Sequence, residues 1–145
     1  MITSFQGEYR FLSNFWPCEK PIFIPKDIEH AFNTVENAYQ ASKFTSNEIR
    51  DRFVSVTPQW AKRLARTFPI RSDWEFRKLE FMEDMLRQKF SLGTKLLQQL
   101  LDTGTQELIE GNTWKDTFWG QCPLGKGENH LGKLLMKIRN EAKQC

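Results

Sequence analysis

Three side chains capable of group-transfer chemistry recur at helical spacing between Val35 and Lys43. Glu36, Gln40 and Lys43 stand at positions i, i+4 and i+7, which puts them on one face of a helix. A carboxylate can serve as an acid or base, an amide can hold a sugar, and an amine can form an imine with an aldehyde. An ordinary solvated polar face has the same pattern, and the spacing alone favours that interpretation.

A second acidic group lies further along the chain, at Glu110 and Asp116, beside Trp114 and Trp119. Two separated carboxylates with stacking aromatic rings suit the cleavage of a glycosidic bond, because an oxocarbenium-like centre needs a nearby negative charge. Acidic residues near tryptophan are also common in proteins without this chemistry. This group is therefore a weaker indication than a complete motif would be.

The loop from Gly120 to Gly127 nearly matches the phosphate-binding pattern G-x-x-x-x-G-K-[ST]. Gly127 replaces the hydroxyl residue that would bind magnesium, and the preceding stretch does not read as a buried strand, which excludes a nucleoside triphosphatase. Gly125 and Lys126 still precede a helix start, where free amide groups favour an anion. A plain glycine turn with a solvated lysine is the alternative.

Other catalytic classes and metal sites have little support. The only histidines are His30 and His130, and no serine stands in a nucleophile-elbow pattern. Cys122 and His130 are two potential zinc ligands without the two further ligands that a site needs. We therefore expect neither a metal nor a cofactor.

Composition limits the class of protein. The chain has 145 residues, a net charge of +3, 39% apolar and 27% charged residues, which predicts a soluble globular protein with a single domain over residues 1–145. No apolar run reaches the roughly 20 residues of a membrane helix, and the N-terminus does not read as a secretory signal. Three scattered cysteines indicate a reducing compartment. We expect a cytoplasmic monomer without membrane attachment.

Basic residues are concentrated between Arg50 and Arg71, where six of them accompany a single acid, Asp51. Such a cluster can bind phosphates or nucleic acid. A solvated helix face is the commoner explanation, and the overall charge is too small to argue for non-specific DNA binding.

Capping residues and apolar periodicity predict a mainly helical fold with a few short strands. A helix from Val35 to about residue 44 follows the cap Thr34, a short helix follows Ser46, and another begins at Thr57-Pro58. Further helices are expected near Leu96–Leu101 and from about Asn129, and short strands at 22–24 and 107–110.

The longest helix is predicted to begin after Ser72, with Glu75 completing a capping box. Its apolar residues recur every three to four positions and predict one buried stripe. The members of that stripe are Phe76, Leu79, Met82, Leu86 and Phe90.

Nearly the whole chain resembles the NADAR (YbiA-like) family. The resemblance rests on several blocks in the right order, which together are far more specific than any one of them. They are YRFLSNF at 9–15, VENAYQASK at 35–43, DWE at 73–75, KF at 89–90, TG at 103–104, IE at 109–110, DTFWG at 116–120, and GENHLG at 127–132 leading to Arg139. Asn37 departs from the family, which often has histidine there.

The resemblance implies a compact, mainly helical YbiA-like fold and an N-glycosidase activity. Known members split ribose from an exocyclic amine of a flat heterocycle. Some act on ADP-ribosylated guanine in nucleic acid, and others on phosphoribosylamino-pyrimidine intermediates of riboflavin synthesis. The implied partners are therefore an ADP-ribose- or phosphoribose-containing small molecule, or ADP-ribosylated DNA or RNA. A non-catalytic reader of ADP-ribose or nucleotide is the alternative, although retention of the matching polar residues favours the enzyme.

Carried onto this chain residue by residue, the resemblance implies two sets of site residues. The expected catalytic residues are Glu36, Asp116, Trp74 and Lys43. The expected substrate-binding residues are Arg10, Ser13, Asn14, Gln40, Glu110, Trp119, Gly127 and Asn129. One carboxylate would support the ribose cation or activate water, the other would manage the leaving amine, and Lys43 could hold an opened ribose as a Schiff base.

Overall fold

A computed structural model describes residues 1–144, and α-helices dominate it. The α-helices are α1 (Val35–Ser42), α2 (Asn47–Asp51), α3 (Pro58–Leu64), α4 (Trp74–Lys89), α5 (Lys95–Asp102) and α6 (His130–Lys143). Two 3₁₀-helices, Gly7–Leu12 and Ala65–Thr67, accompany them. The mainly helical class expected from the sequence is confirmed. Over residues 1–144, no helix is both long and apolar enough to cross a membrane.

The chain forms two units. The central unit, residues 14–89, contains α1 to α4, and α1 packs against α2, α3 and α4 there. The terminal unit, residues 1–13 together with the chain from Phe90 onward, contains α5 and α6, which pack against each other. Each unit contributes its own set of candidate functional residues.

Local capping explains where the first three α-helices begin. The hydroxyls of Thr34, Ser46 and Thr57 each accept the amide N–H of the residue three positions on. These bonds satisfy amide groups that a helix start otherwise leaves without partners. The helix starts predicted at these residues are confirmed.

The start of α4 differs from the prediction. The helix begins at Trp74, and the carbonyl of Asp73, not Ser72, accepts the first helical hydrogen bond, from the Arg77 amide at 3.2 Å. Glu75 forms an ion pair with Lys78 at 2.7 Å. The expected capping box of Ser72 and Glu75 is therefore wrong, because both residues lie one position out of register for it.

The buried stripe of α4 is also different. Met82 and Leu86 are buried as predicted, but the side chain of Phe76 is 88% exposed and that of Leu79 39% exposed. The core face runs instead along 74, 81, 85 and 89, beside Met82 and Leu86. Two overlapping apolar stripes run along this helix, and packing against α1 selects the one that carries Trp74.

The β structure of the described residues consists of three isolated bridges. Ile22 pairs with Phe32 in the central unit, and Ile2 pairs with Leu108 in the terminal unit. The third bridge joins Gly111 to Gln121. The strands expected at 22–24 and 107–110 are thus each reduced to a single bridged residue.

Candidate active site

Helix α1 holds a polar face that is buried. Only 7% of Glu36 and 4% of Gln40 is exposed, and Lys43 follows half-buried at the end of the helix. The Gln40 amide donates from Nε2 to Glu36 Oε2 at 3.4 Å. The interpretation of this pattern as a solvated face is therefore wrong, since polar groups are buried at a free-energy cost that surface residues do not bear.

Asn14 fixes the start of the same helix. Its carbonyl accepts the Glu36 amide at 3.0 Å, and its side-chain Nδ2 lies 3.6 Å from Met82 Sδ on α4. The Oδ1 atom of Asn14 is buried, and no described residue donates a hydrogen bond to it. Asn14 therefore presents an acceptor next to the backbone of the candidate catalytic carboxylate.

Asn37 has a structural role that the sequence did not reveal. Its Oδ1 accepts the Thr34 hydroxyl at 2.5 Å, and its Nδ2 donates to the carbonyls of Phe53 and Val56, each at 2.9 Å. All of its polar atoms therefore tie α1 to the segment after α2. This use of the amide gives a physical reason for asparagine at a position where the family often has histidine.

Trp74 forms an aromatic wall with α1. Its ring centroid lies 5.2 Å from that of Tyr39 at an interplanar angle of 59°, and 6.1 Å from that of Phe81. Only 6% of Trp74 is exposed. Trp74 is thus held rigidly by packing, and the indole can offer a substrate an edge or part of a face but not an open platform.

Lys43 lies beside this wall. Its Nζ is 5.5 Å from the Tyr39 ring centroid and 6.0 Å from that of Trp74, within reach of cation–π attraction. Burial lowers the pKa of Lys43, and the positive charges of Arg66, Lys62 and Lys78 lower it further, against the opposite effect of Glu36. Three cations therefore act electrostatically on this amine.

The basic cluster between Arg50 and Arg71 does not act as one surface. Half-buried Arg50 donates to Asp27 and to the Phe44 carbonyl, at 3.1 and 2.7 Å, and Arg71 pairs with Asp73 at 2.6 Å. These two arginines stabilise the central unit. The members of the cluster that act electrostatically on Lys43 are Lys62 on α3 and Arg66 on the 3₁₀-helix after it, four residues apart.

The sequence contained a signal for these positive charges: Lys62 and Arg66 are four residues apart, and residues at i and i+4 share a helix face. Sequence reasoning counted the basic residues without assigning them to Lys43, and it did not select Tyr39 or Lys78 at all. Tyr39 lies within the VENAYQASK block, three residues after Glu36.

In the terminal unit, Asp116 organises a tight turn. Its Oδ1 accepts the Trp119 amide at 3.0 Å, and its own amide donates to Asn112 Oδ1 at 3.1 Å. Asn112 Nδ2 returns a bond to the Asp116 carbonyl at 2.9 Å. The second carboxylate oxygen of Asp116 thus lies on a hydrogen-bonded turn that also carries Trp119. The Glu110 carbonyl accepts the Gln121 amide at 2.9 Å, next to the Gly111–Gln121 bridge.

The start of α6 does not form the expected anion cradle. The amides of Glu128, Asn129, His130 and Leu131 all donate to backbone carbonyls of residues 117–120, at 2.7 to 3.3 Å. The expectation that free amides at this helix start would favour an anion is therefore wrong, because these amides already donate to backbone carbonyls of the same chain. Gly127 has φ of +139° and packs against the Gly120 carbonyl, where a side chain would clash.

The Asn129 side chain also bonds within its own unit. Its Oδ1 accepts the Glu110 amide at 3.0 Å and its Nδ2 donates to the Leu108 carbonyl at 2.9 Å. Arg10 and Ser13 stand at the end of the first 3₁₀-helix, where the Ser13 amide donates to the Arg10 carbonyl at 3.0 Å. The candidate residues therefore fall into two sets, one in each unit.

A groove of about 750 Å³ lies wholly within the terminal unit. Half-exposed Trp114 lines it, together with Gln121 and Cys122. Backbone amides of Lys126 and Leu124 lower the pKa of the Cys122 thiol by hydrogen bonding to it. Asp116 and Trp119 do not line this groove, so it is distinct from the turn that they form.

Over residues 1–144, no three histidine, cysteine, aspartate or glutamate side chains come together in a way that could hold a metal ion. The chemistry available at the described site is that of a buried carboxylate, two amides, an aromatic wall and an amine on which three cations act electrostatically. Such a set can stabilise a cationic sugar centre and bind a phosphate close to it.

This mainly helical fold belongs to a known class of protein. The NADAR domain model matches residues 3–143, and the chain belongs to the NADAR family. It is 35% identical over 143 residues to N-glycosidase YbiA of Escherichia coli K12, covering 95% of this chain and 84% of the relative. N-glycosidase Npun_R5314 of Nostoc punctiforme is 39% identical over 115 residues, covering 74% and 72%. The family thus contains hydrolases that act on N-glycosyl bonds.

The solution structure of the E. coli protein YbiA has the same fold, with a TM-score of 0.79 at 34% identity. The match covers 99% of this chain and 83% of that one. A further relative is the riboflavin biosynthesis protein VVA0006 of Vibrio vulnificus, 35% identical over 137 residues and 92% of this chain. The chain spans about a third of that relative's length.

Proposed function

We propose that this protein is an N-glycosidase that hydrolyses the bond between C1 of a phosphorylated ribose and an exocyclic amine of a flat heterocycle. The observation that carries the proposal is the buried Glu36 carboxylate, set on α1 beside Gln40 and Lys43. The relatives of this chain include proteins named N-glycosidase, and membership of their family supports cleavage of an N-glycosyl bond here.

Breaking the C1–N bond leaves positive charge shared between C1 and the ring oxygen. The Glu36 carboxylate would stabilise this charge or take a proton from the attacking water, which then adds to C1. The amine departs with a proton supplied by an acid, a role for which Asp116 is the family-matched candidate. The products are a free sugar with a C1 hydroxyl and the heterocyclic amine.

Positive charge around Lys43 favours a substrate that carries phosphate. Lys62, Arg66 and Lys78 all act electrostatically on the Lys43 amine, and guanidinium and ammonium groups are the common ligands of phosphate in proteins. Lys78 also pairs with Glu75 at 2.7 Å. The phosphate of a phosphoribosyl group bound with C1 beside Glu36 would lie in this positive field.

The proposed substrate is a phosphoribosylamino-pyrimidine, from which the aminopyrimidine departs, a choice supported by the riboflavin biosynthesis proteins among the relatives. ADP-ribosylated guanine, free or in nucleic acid, is the second candidate, and the positive charges beside Lys43 would suit its diphosphate equally.

Incubation with each substrate, followed by assay of the released ribose 5-phosphate or ADP-ribose, tests the proposal. Release of sugar from one of them, abolished in Glu36→Gln, is the expected result. Tight binding of both without release of sugar would contradict hydrolysis and favour a non-catalytic nucleotide-binding module.

A further inference from the structure

Gln40 has a buried amide oxygen that no described residue satisfies. Its Nε2 donates to Glu36 Oε2 at 3.4 Å, whereas Oε1 accepts no hydrogen bond. Only 4% of the residue is exposed. Buried polar groups are almost always hydrogen-bonded, and one that is not calls for a specific explanation.

The neighbouring carboxylate fixes the orientation of this amide. Only the NH₂ end of Gln40 can donate to Glu36, because the other end is an acceptor. Turning the amide over would set its oxygen against a carboxylate oxygen. Oε1 is therefore held beside the carboxylate, as an acceptor that needs a donor.

We infer that Gln40 Oε1 accepts a hydrogen bond from the 2-hydroxyl of the substrate ribose, and that Gln40 thereby selects ribose over 2-deoxyribose. This inference rests on the proposed function. If Glu36 faces C1, the nearest donor on the sugar is the hydroxyl of the adjacent carbon. Gln40 follows Glu36 by one helical turn, which suits two neighbouring atoms of one ring.

The contact would strengthen during reaction. Positive charge at C1 makes the 2-hydroxyl a better donor, and hydrogen bonds to this hydroxyl are known to strengthen in glycosidase transition states. A site that hydrogen-bonds a substrate hydroxyl also discriminates strongly against an analogue without it, because its polar group is then left unpaired. Gln40 is therefore a specificity residue as well as a contact that aids the reaction.

Binding of two stable sugars tests this directly. Ribose 5-phosphate and 2-deoxyribose 5-phosphate would be titrated into ¹⁵N-labelled wild-type protein and followed by NMR. We expect the wild type to bind ribose 5-phosphate at least about tenfold more tightly, the scale of one hydrogen bond with a penalty for its loss. Gln40→Met keeps the side-chain length without the acceptor and should reduce the preference to about twofold or less.

Gln59→Met is the matched control, since it makes the same substitution at an exposed position of α3 and should keep the wild-type preference. Equal affinity of the wild type for the two sugars would overturn the inference even if Gln40→Met failed to fold. So would absence of ribose 5-phosphate binding at millimolar concentration, or a full tenfold preference in folded Gln40→Met.

Failure of the proposed function has a different signature. If the wild-type protein prefers ribose 5-phosphate but releases no sugar from any N-glycoside, the contact to the hydroxyl is supported and the proposed hydrolysis is contradicted. If the protein cleaves the N-glycoside but does not distinguish the two sugars, the proposed hydrolysis is supported and the role inferred for Gln40 is contradicted.

Discussion

The indole ring of Trp74 packs against the phenol ring of Tyr39 with centroids 5.2 Å apart and planes tilted by 59°. This contact joins the first residue of α4 to the middle of α1, the helix that carries Glu36. Lys43 Nζ lies 6.0 Å from the Trp74 ring centroid. The wall therefore sets both the position of the candidate catalytic helix and the apolar surroundings of its lysine.

Replacing the carboxylate of α1 should abolish most activity. Glu36→Gln keeps the side-chain shape but cannot stabilise a cation or take a proton, so we expect turnover to fall at least about a hundredfold while the fold is kept. Sugar release and circular dichroism measure the two properties. Glu48→Gln, at an exposed position on α2, should retain full activity. Wild-type turnover in folded Glu36→Gln would place the reaction elsewhere.

Asp116→Asn should separate the catalytic role of that residue from its structural one. The amide oxygen of asparagine can still accept the Trp119 amide N–H, as Asp116 Oδ1 does at 3.0 Å. We therefore expect near-wild-type melting but a loss of turnover of about a hundredfold or more. Asp116→Ala should also lower the melting temperature, because it removes the acceptor. Undiminished turnover in Asp116→Asn would restrict Asp116 to the turn.

Features of the fold that depend on neighbouring residues can be predicted from the sequence. The caps at Thr34, Ser46 and Thr57 are local, so a few neighbouring residues suffice to predict the helix starts. The helical spacing of Glu36, Gln40 and Lys43 likewise follows from their positions on α1.

Features decided by packing could not be predicted in the same way. Phe76 and Leu79 have the right spacing for a core stripe, but the parallel stripe through Trp74 is the one buried. The amides at the start of α6 look available for an anion until the turn at residues 117–120 supplies its carbonyls. The three bonds of Asn37 involve partners up to 19 residues away, which no local pattern encodes.

Chelation should leave activity intact. The proposed chemistry needs only side-chain groups and water, and the sequence spacing offers no metal-ligand cluster. Sugar release in the presence of excess EDTA should therefore equal that of the untreated protein. Activity that vanished with EDTA and returned with zinc or magnesium would contradict this. A diphosphate substrate that carries its own Mg²⁺ would give the same result, and a monophosphate substrate controls for it.

A covalent role for Lys43 can be tested by trapping. A lysine pKa lowered by burial leaves more of the neutral amine that attacks a carbonyl carbon. The amine would join C1 of the opened ribose with loss of water, and borohydride would reduce the resulting imine to a stable secondary amine. A covalent role predicts that the protein mass rises by the sugar moiety in the wild type and that no adduct forms in Lys43→Ala.

Lys43→Arg distinguishes this mechanism from a purely electrostatic one. Arginine keeps the positive charge that a phosphate or hydroxyl contact requires, but it cannot form the imine. An imine mechanism therefore predicts loss of activity in Lys43→Arg. Full activity in that variant, with no borohydride adduct in the wild type, would leave direct attack by water as the mechanism.

The same lowered pKa predicts how stability depends on pH. The folded protein releases the Lys43 proton at a lower pH than the unfolded chain, whose lysine has its ordinary pKa of about 10.4. Between the two values the unfolded state binds more protons, so the free energy of unfolding rises with pH. Below the folded pKa both states are protonated, and the destabilising effect is full and constant.

Urea unfolding of the wild type and of Lys43→Met, measured in steps from about pH 7 to pH 10, checks this sign. The free energy of unfolding of the wild type should increase relative to that of Lys43→Met as the pH rises. Lys133→Met, which removes an exposed lysine on α6, controls for the loss of one positive charge and should track the wild type. A wild-type curve that fell relative to Lys43→Met would mean that the attraction of Glu36 outweighs burial, and Lys43 would then be held charged rather than prepared for attack.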